Sequence, residues 1–157
     1  MIDTTRLSSQ TRSFGDTALV MVSGECDFSN AQVIERLLLD AAGGGVRHLV
    51  VDLAEASFVD SSTVRALLVA RARMEEDGGD VCLVHGPRLL RLLTIIGAEQ
   101  AFTLAASLSE ALRLVAARSR LAAGDAHRLR TGEAGLLLDE RWARTTSASP
   151  TSPLAAA

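Results

Sequence analysis

Apolar positions along this chain alternate between short continuous runs and helical spacing. Residues 17–23 (TALVMVS) form an apolar, β-branched run bounded by Asp16 and Gly24, which predicts a strand. The spacing then becomes helical. Val33, Ile34, Leu37, Leu38 and Ala41 share one stripe of a helix capped by Ser29 or Asn30 and running to about Ala42, where Gly43-Gly44-Gly45 stops it. Leu49 to Leu53 (LVVDL) is nearly continuous in apolar residues, as in a strand buried on both faces.

The alternation repeats. Asp60-Ser61-Ser62 offers capping side chains ahead of a helix to about Glu76, striped by Val64, Leu67, Leu68 and Met74. Gly78-Gly79 ends it, and Val81 to Val84 predicts a third strand. Pro87 stands where a helix can begin, with Leu89, Leu92, Leu93 and Ile96 at helical spacing before Gly97. A short strand around Phe102 to Leu104 precedes a last helix from Leu108 to about Ala117, with Leu108, Ala111, Leu112 and Val115 inward. Strands and helices alternating at these lengths define an α/β layer with parallel pairings. After about Arg120 the pattern fades into a segment ending TTSASPTSPLAAA, so the expected organisation is a domain over 1–120 and a largely disordered tail over 121–157.

Composition narrows the function classes. A chain of 157 residues, 48% hydrophobic, suits one domain with some surplus. It has no apolar run near the ~18–20 residues of a membrane span. With no basic, apolar leader at the N-terminus, the expectation is a cytoplasmic protein without membrane insertion. The net charge is −3 and all sixteen cations are Arg. That argues against direct nucleic-acid binding and removes any lysine-based Schiff base or phosphate loop. Cys26 and Cys82 are far apart, and with three scattered His they make no zinc site, so buried thiols are expected. No cofactor is expected. His48 and His85 flank strands and are expected to be structural. With no nucleophile elbow, paired carboxylates or nucleotide fingerprint, the chain does not read as an enzyme.

The informative stretch is residues 46–68, VRHLVVDLAEASFVDSSTVRALL, where a buried strand leads through a loop to three consecutive hydroxyls at a helix start. Helix N-termini carry unpaired N–H groups and partial positive charge. A serine there can be a cap, a nucleophile or a phosphate acceptor. Asp60 can be a plain cap or can also position the hydroxyl. Ser62 reads as a cap rather than an acceptor, and Glu25 as a solvated loop charge.

Gly24-Glu25-Cys26-Asp27 resembles a G-E-x-D motif, and Asp52-Leu53 followed by Phe58-Val59-Asp60-Ser61-Ser62 resembles D-L-x-x-x-x-F-x-D-S-S. In this order, with Gly78-Gly79, Pro87, Gly97 and Phe102 downstream, the chain resembles the STAS domain of bacterial anti-sigma factor antagonists over residues 3–117. The resemblance implies an α/β STAS fold, a mixed four- to five-stranded sheet with about four helices packed on one side, followed by a C-terminal tail. It implies a first strand, poorly marked by pattern, within residues 4–14. It also implies that Ser61 is the phosphoacceptor and that Asp27, Asp60, Ser61, Ser62 and Thr63 contact the partner. The implied partners are an anti-sigma factor with serine kinase activity, using ATP and magnesium, and a metal-dependent serine phosphatase. The alternative is a STAS scaffold or accessory subunit of a stress-signalling or lipid-transport assembly, not switched by phosphorylation. One departure stands out: the family commonly has Gly after D-S-S, and here Thr63 is followed by Val64-Arg65.

Overall fold

The computed structural model describes residues 7–127. The elements, in chain order, are β1 (Leu7–Phe14), β2 (Thr17–Cys26), α1 (Ala31–Ala42), β3 (His48–Asp52), β4 (Ala56–Val59), α2 (Ser61–Glu76), β5 (Asp80–Val84), α3 (Pro87–Ile96), a single 3-10 turn (Glu99–Ala101), β6 (Thr103–Ala105) and α4 (Leu108–His127). The strands form one mixed sheet in the order β1-β2-β3-β5-β6, with β4 paired to β2. β1 runs antiparallel to β2 and every other pairing is parallel.

Alternation along the strands places the core. Ala18, Val20 and Val22 of β2, Leu49 and Val51 of β3, and Val81 and Leu83 of β5 join one apolar cluster with Ile34 and Leu38 of α1, Val64, Leu67 and Met74 of α2, and Leu89 and Leu93 of α3. The intervening Leu19, Val50 and Cys82 are buried as well, so the central strands are covered on both faces, as LVVDL predicts. Pro87 opens α3, and Gly97 closes it in the left-handed region at φ 70°, where glycine carries no Cβ penalty.

Several local expectations change. The sheet has six strands, because residues 56–59 form β4. β2 extends through Gly24 to Cys26, so Glu25 lies in a strand rather than a solvated loop. β4 continues the line of β3 along β2: Asp52 pairs with Met21, whereas Ala56 pairs with Gly24 and Phe58 with Glu25. The extra residues are taken up by bulging, which breaks the period-two pattern. Gly24, at the register shift, has φ 94°, a conformation that disfavours residues with a Cβ. Asn30 sits at the N-cap of α1, but its side chain makes no capping hydrogen bond. Leu68 and Ile96, placed inward by spacing, are 36% and 45% exposed.

The chain divides into two units, residues 1–108 and a second beginning at Ser109. In the second, α4 buries Ala111, Leu112, Val115 and Ala116 and runs to His127, beyond the expected end near Ala117 and into the segment expected to be disordered. The rest of the expected tail lies outside the described residues.

Candidate phosphoacceptor and docking site

Ser61 is the first residue of α2 and is exposed. The residue before it, Asp60, is the N-cap in extended conformation, and its carboxylate is shared between two segments. Oδ1 accepts from the Ser62 N–H at 3.0 Å and the Thr63 N–H at 3.2 Å, satisfying two orphan donors of the helix. Oδ2 accepts from the Phe28 N–H at 3.0 Å, 32 residues away in sequence. Asp60 therefore caps α2 and also holds the turn that follows β2. Its observed partners are backbone amides and not the Ser61 hydroxyl.

That turn is tied down from within. The Asn30 Nδ2 donates to the Glu25 carbonyl at 2.8 Å, and its Oδ1 accepts from the Asp27 N–H at 3.0 Å. Asp27 Oδ1 in turn accepts from both the N–H and the hydroxyl of Ser29. So Asn30 is buried, with its side chain turned back to brace the loop. Asp27 directly follows the end of β2 and is half-buried, next to the Cys26 carbonyl that meets the start of α2. The Cys26 carbonyl accepts from the Asp60 N–H at 3.2 Å and the Thr63 hydroxyl at 3.0 Å, closing the ring between the two segments.

Thr63 corrects an expectation. The resemblance implies that it contacts the partner, yet it is fully buried and its hydroxyl donates to the Cys26 carbonyl. Three hydroxyls follow one another in sequence, but the helix turns the third inward: Ser61 is exposed, Ser62 partly so, and Thr63 faces the core side. The accessible set is Asp27, Asp60, Ser61 and Ser62.

Electrostatics follow from the same packing. Burial pushes the Cys26 thiol up to about 11, with the charges of Asp27 and Asp60 acting in the same direction. It is a protonated thiol at neutral pH, and neither it nor the buried Cys82 is in a disulfide. Burial also raises the Asp52 carboxyl, even though the Ala54 N–H donates to it at 3.0 Å. Asp52 thus anchors the turn that leads from β3 into β4. His48 bonds Asp80 across β3 and β5 at 2.7 Å, a structural pairing. No group of His, Cys, Asp and Glu suited to a metal occurs among the described residues. No helix among them is long and apolar enough to cross a membrane.

Pattern reading did not find Phe28, which is 83% exposed on the turn held by Asp60, or Phe58, 44% exposed on β4. Their exposure depends on pairings made across the fold, and no local signal announces it.

The fold is a mixed α/β sheet in which the end of β2 and the start of α2 meet beside an exposed serine. The family model for the STAS domain matches residues 8–111, and the chain belongs to that family. Among solved structures, an anti-sigma factor antagonist from Mycobacterium paratuberculosis has a TM-score of 0.64 at 24% identity, covering 69% of this chain and 93% of its own. The anti-sigma factor antagonist SpoIIAA in its unphosphorylated form gives 0.60 at 22% identity, covering 69% and 96%. The phosphorylated form of SpoIIAA, a Bacillus cell fate determinant, gives 0.56 at 22%, covering 69% and 99%. At these identities the likeness establishes the fold. No curated protein matches the chain.

Proposed function

We propose that this chain is an anti-sigma factor antagonist switched at Ser61. Its unphosphorylated form binds an anti-sigma factor that is itself a serine kinase and so frees the sigma factor; phosphorylation of Ser61 releases it, and a serine phosphatase resets it. The observation that carries this reading is an exposed serine at the first position of α2, whose hydroxyl is left out of the hydrogen bonds that fix the surrounding loop. The existence of SpoIIAA structures in both states supports it.

The physics of the switch is local. In the kinase step the γ-phosphoryl of ATP passes to the Ser61 Oγ, releasing ADP and the hydroxyl proton. The product carries about −1.5 to −2 charges at neutral pH. Asp27 and Asp60 already make this face acidic. A partner surface shaped for a hydroxyl then has to desolvate a phosphate for which it offers no cation, which costs several kcal/mol. Every ~1.4 kcal/mol is tenfold in affinity, so release requires no refolding. Asp27, Asp60 and Ser62 form the rest of the docking face.

The test is incubation with a candidate anti-sigma kinase and ATP-magnesium, read by mass spectrometry. One phosphate is expected on Ser61. Ser61→Ala abolishes it while retaining binding, and Ser61→Asp weakens binding. The exposed Phe28 and Phe58 favour a second reading, a STAS docking subunit of a stress-signalling or lipid-transport assembly without a phosphorylation switch. Equal binding by both Ser61 variants decides for it.

A further inference from the structure

Arg65 departs from the family motif and stands four residues beyond Ser61 on α2, and both side chains are exposed. A separation of four residues spans ~6 Å along a helix and keeps both on one face. Helical side chains lean toward the N-terminus, which brings the turn opened by Ser61 within reach of an Arg at position 65. Arg65 has no acidic partner among the described residues. The ion pairs of α2 join Arg71 to Glu75 and Arg73 to Glu76 and Asp77, all near the other end of the helix. Residues 66–70 are uncharged, so nothing on the helix competes for this guanidinium.

At the helix start itself, two of the amides beside Ser61 are already taken. The Ser62 and Thr63 amides, which could hold a phosphate at the helix start, already donate to Asp60 Oδ1. The Asp60 carboxylate itself repels a dianion. The geometry points to Arg65 as the counter-ion of a phosphate on Ser61, an inference that rests on reading Ser61 as the phosphoacceptor. The phosphate turns away from Asp60 and along α2, where the planar guanidinium donates paired N–H groups to its oxygens. Modification therefore adds negative charge and, in the same step, neutralises the cation nearest to it on α2. The face, already acidic through Asp27 and Asp60, loses the cation of Arg65 as it gains the phosphate.

The test incorporates phosphoserine at position 61 during synthesis of the full chain, so neither kinase nor partner is needed. The second ionisation of the phosphate is followed by 31P NMR at low salt in the Arg65 protein and in Arg65→Gln and Arg65→Lys. In Arg65→Gln the ionisation is expected to move up by about 0.3 unit, the size of an exposed i,i+4 ion pair. Arg65→Lys recovers part of the shift, and about 0.5 M salt suppresses it. The unmodified Arg65→Gln chain is expected to melt with the unmodified parent, separating phosphate pairing from a structural role. A phosphate that titrates identically with Arg and Gln at position 65 overturns the inference. Partner binding that ignores Ser61 phosphorylation overturns the proposed switch instead, so the two failures are distinguishable.

Discussion

The Thr63 hydroxyl donates to the Cys26 carbonyl at 3.0 Å, joining the first turn of α2 to the last residue of β2. Both ends of this bond are buried. It fixes the helix that carries Ser61 against the turn that carries Asp27. Thr63→Val keeps the shape and removes the donor, while the Asp60 N–H still serves the Cys26 oxygen. The expected loss is about 1 kcal/mol, a fall in Tm of about 2–4 °C. Thr63→Ser keeps the bond and is expected to lose less. Differential scanning calorimetry of the two variants checks this, and equal melting of Thr63→Val and the parent would remove the bond from the account.

Asp60 has separable duties. In Asp60→Asn the amide oxygen can still cap α2, since Asn is as good an N-cap as Asp. The amide nitrogen then faces the Phe28 N–H, donor against donor, and that bond is lost. Amide hydrogen exchange at Phe28 is expected to accelerate while α2 stays protected. Asp60→Ala removes the cap too and is expected to lower stability by about 1–2 kcal/mol in urea unfolding.

Asp52 makes stability depend on pH. Its folded carboxyl is raised from 3.8 by burial, so between 3.8 and the raised value the folded state holds more protons than the unfolded one. Stability falls as pH rises through that window, and the penalty is complete above it. Asp52→Asn keeps an oxygen for the Ala54 N–H and has no charge to desolvate. Its Tm is expected to exceed that of the parent at pH 7, with the difference vanishing as pH falls toward 3.8. An advantage that persists unchanged at low pH would assign the effect to something other than this carboxyl.

Gly79 is required for space. A Cβ there would lie 2.8 Å from the Arg47 carbonyl oxygen, a backbone atom that also accepts from the Asp80 N–H at 3.0 Å, and 2.7 Å from the end of Met74. Met74 can move, but the carbonyl is held by the start of β5. Gly79→Ala is expected to cost about 2 kcal/mol, or about 4–8 °C in Tm, without altering partner binding at the distant Ser61 face. Thermal melts alongside a binding assay check both halves of the statement.

Most of the framework is legible in the amino-acid order. Short continuous apolar runs locate β2, β3 and β5, and helical spacings locate the four helices, because burial imposes its pattern on residues close in sequence. Pro87 and Gly97 bound α3 through backbone constraints they carry wherever they occur. Asp60 announces a helix start by its own side-chain chemistry, and Ser61 stands at that start. Tertiary structure decided the rest. β4 exists only because β2 offers its last residues as a partner, and its bulged register erases the alternation that would have revealed it. Thr63 is sealed, and Phe28 displayed, by bonds reaching 37 and 32 residues along the chain. A local pattern records which residues repeat toward a common face; which of three neighbouring hydroxyls meets solvent is set by groups that only folding brings beside them.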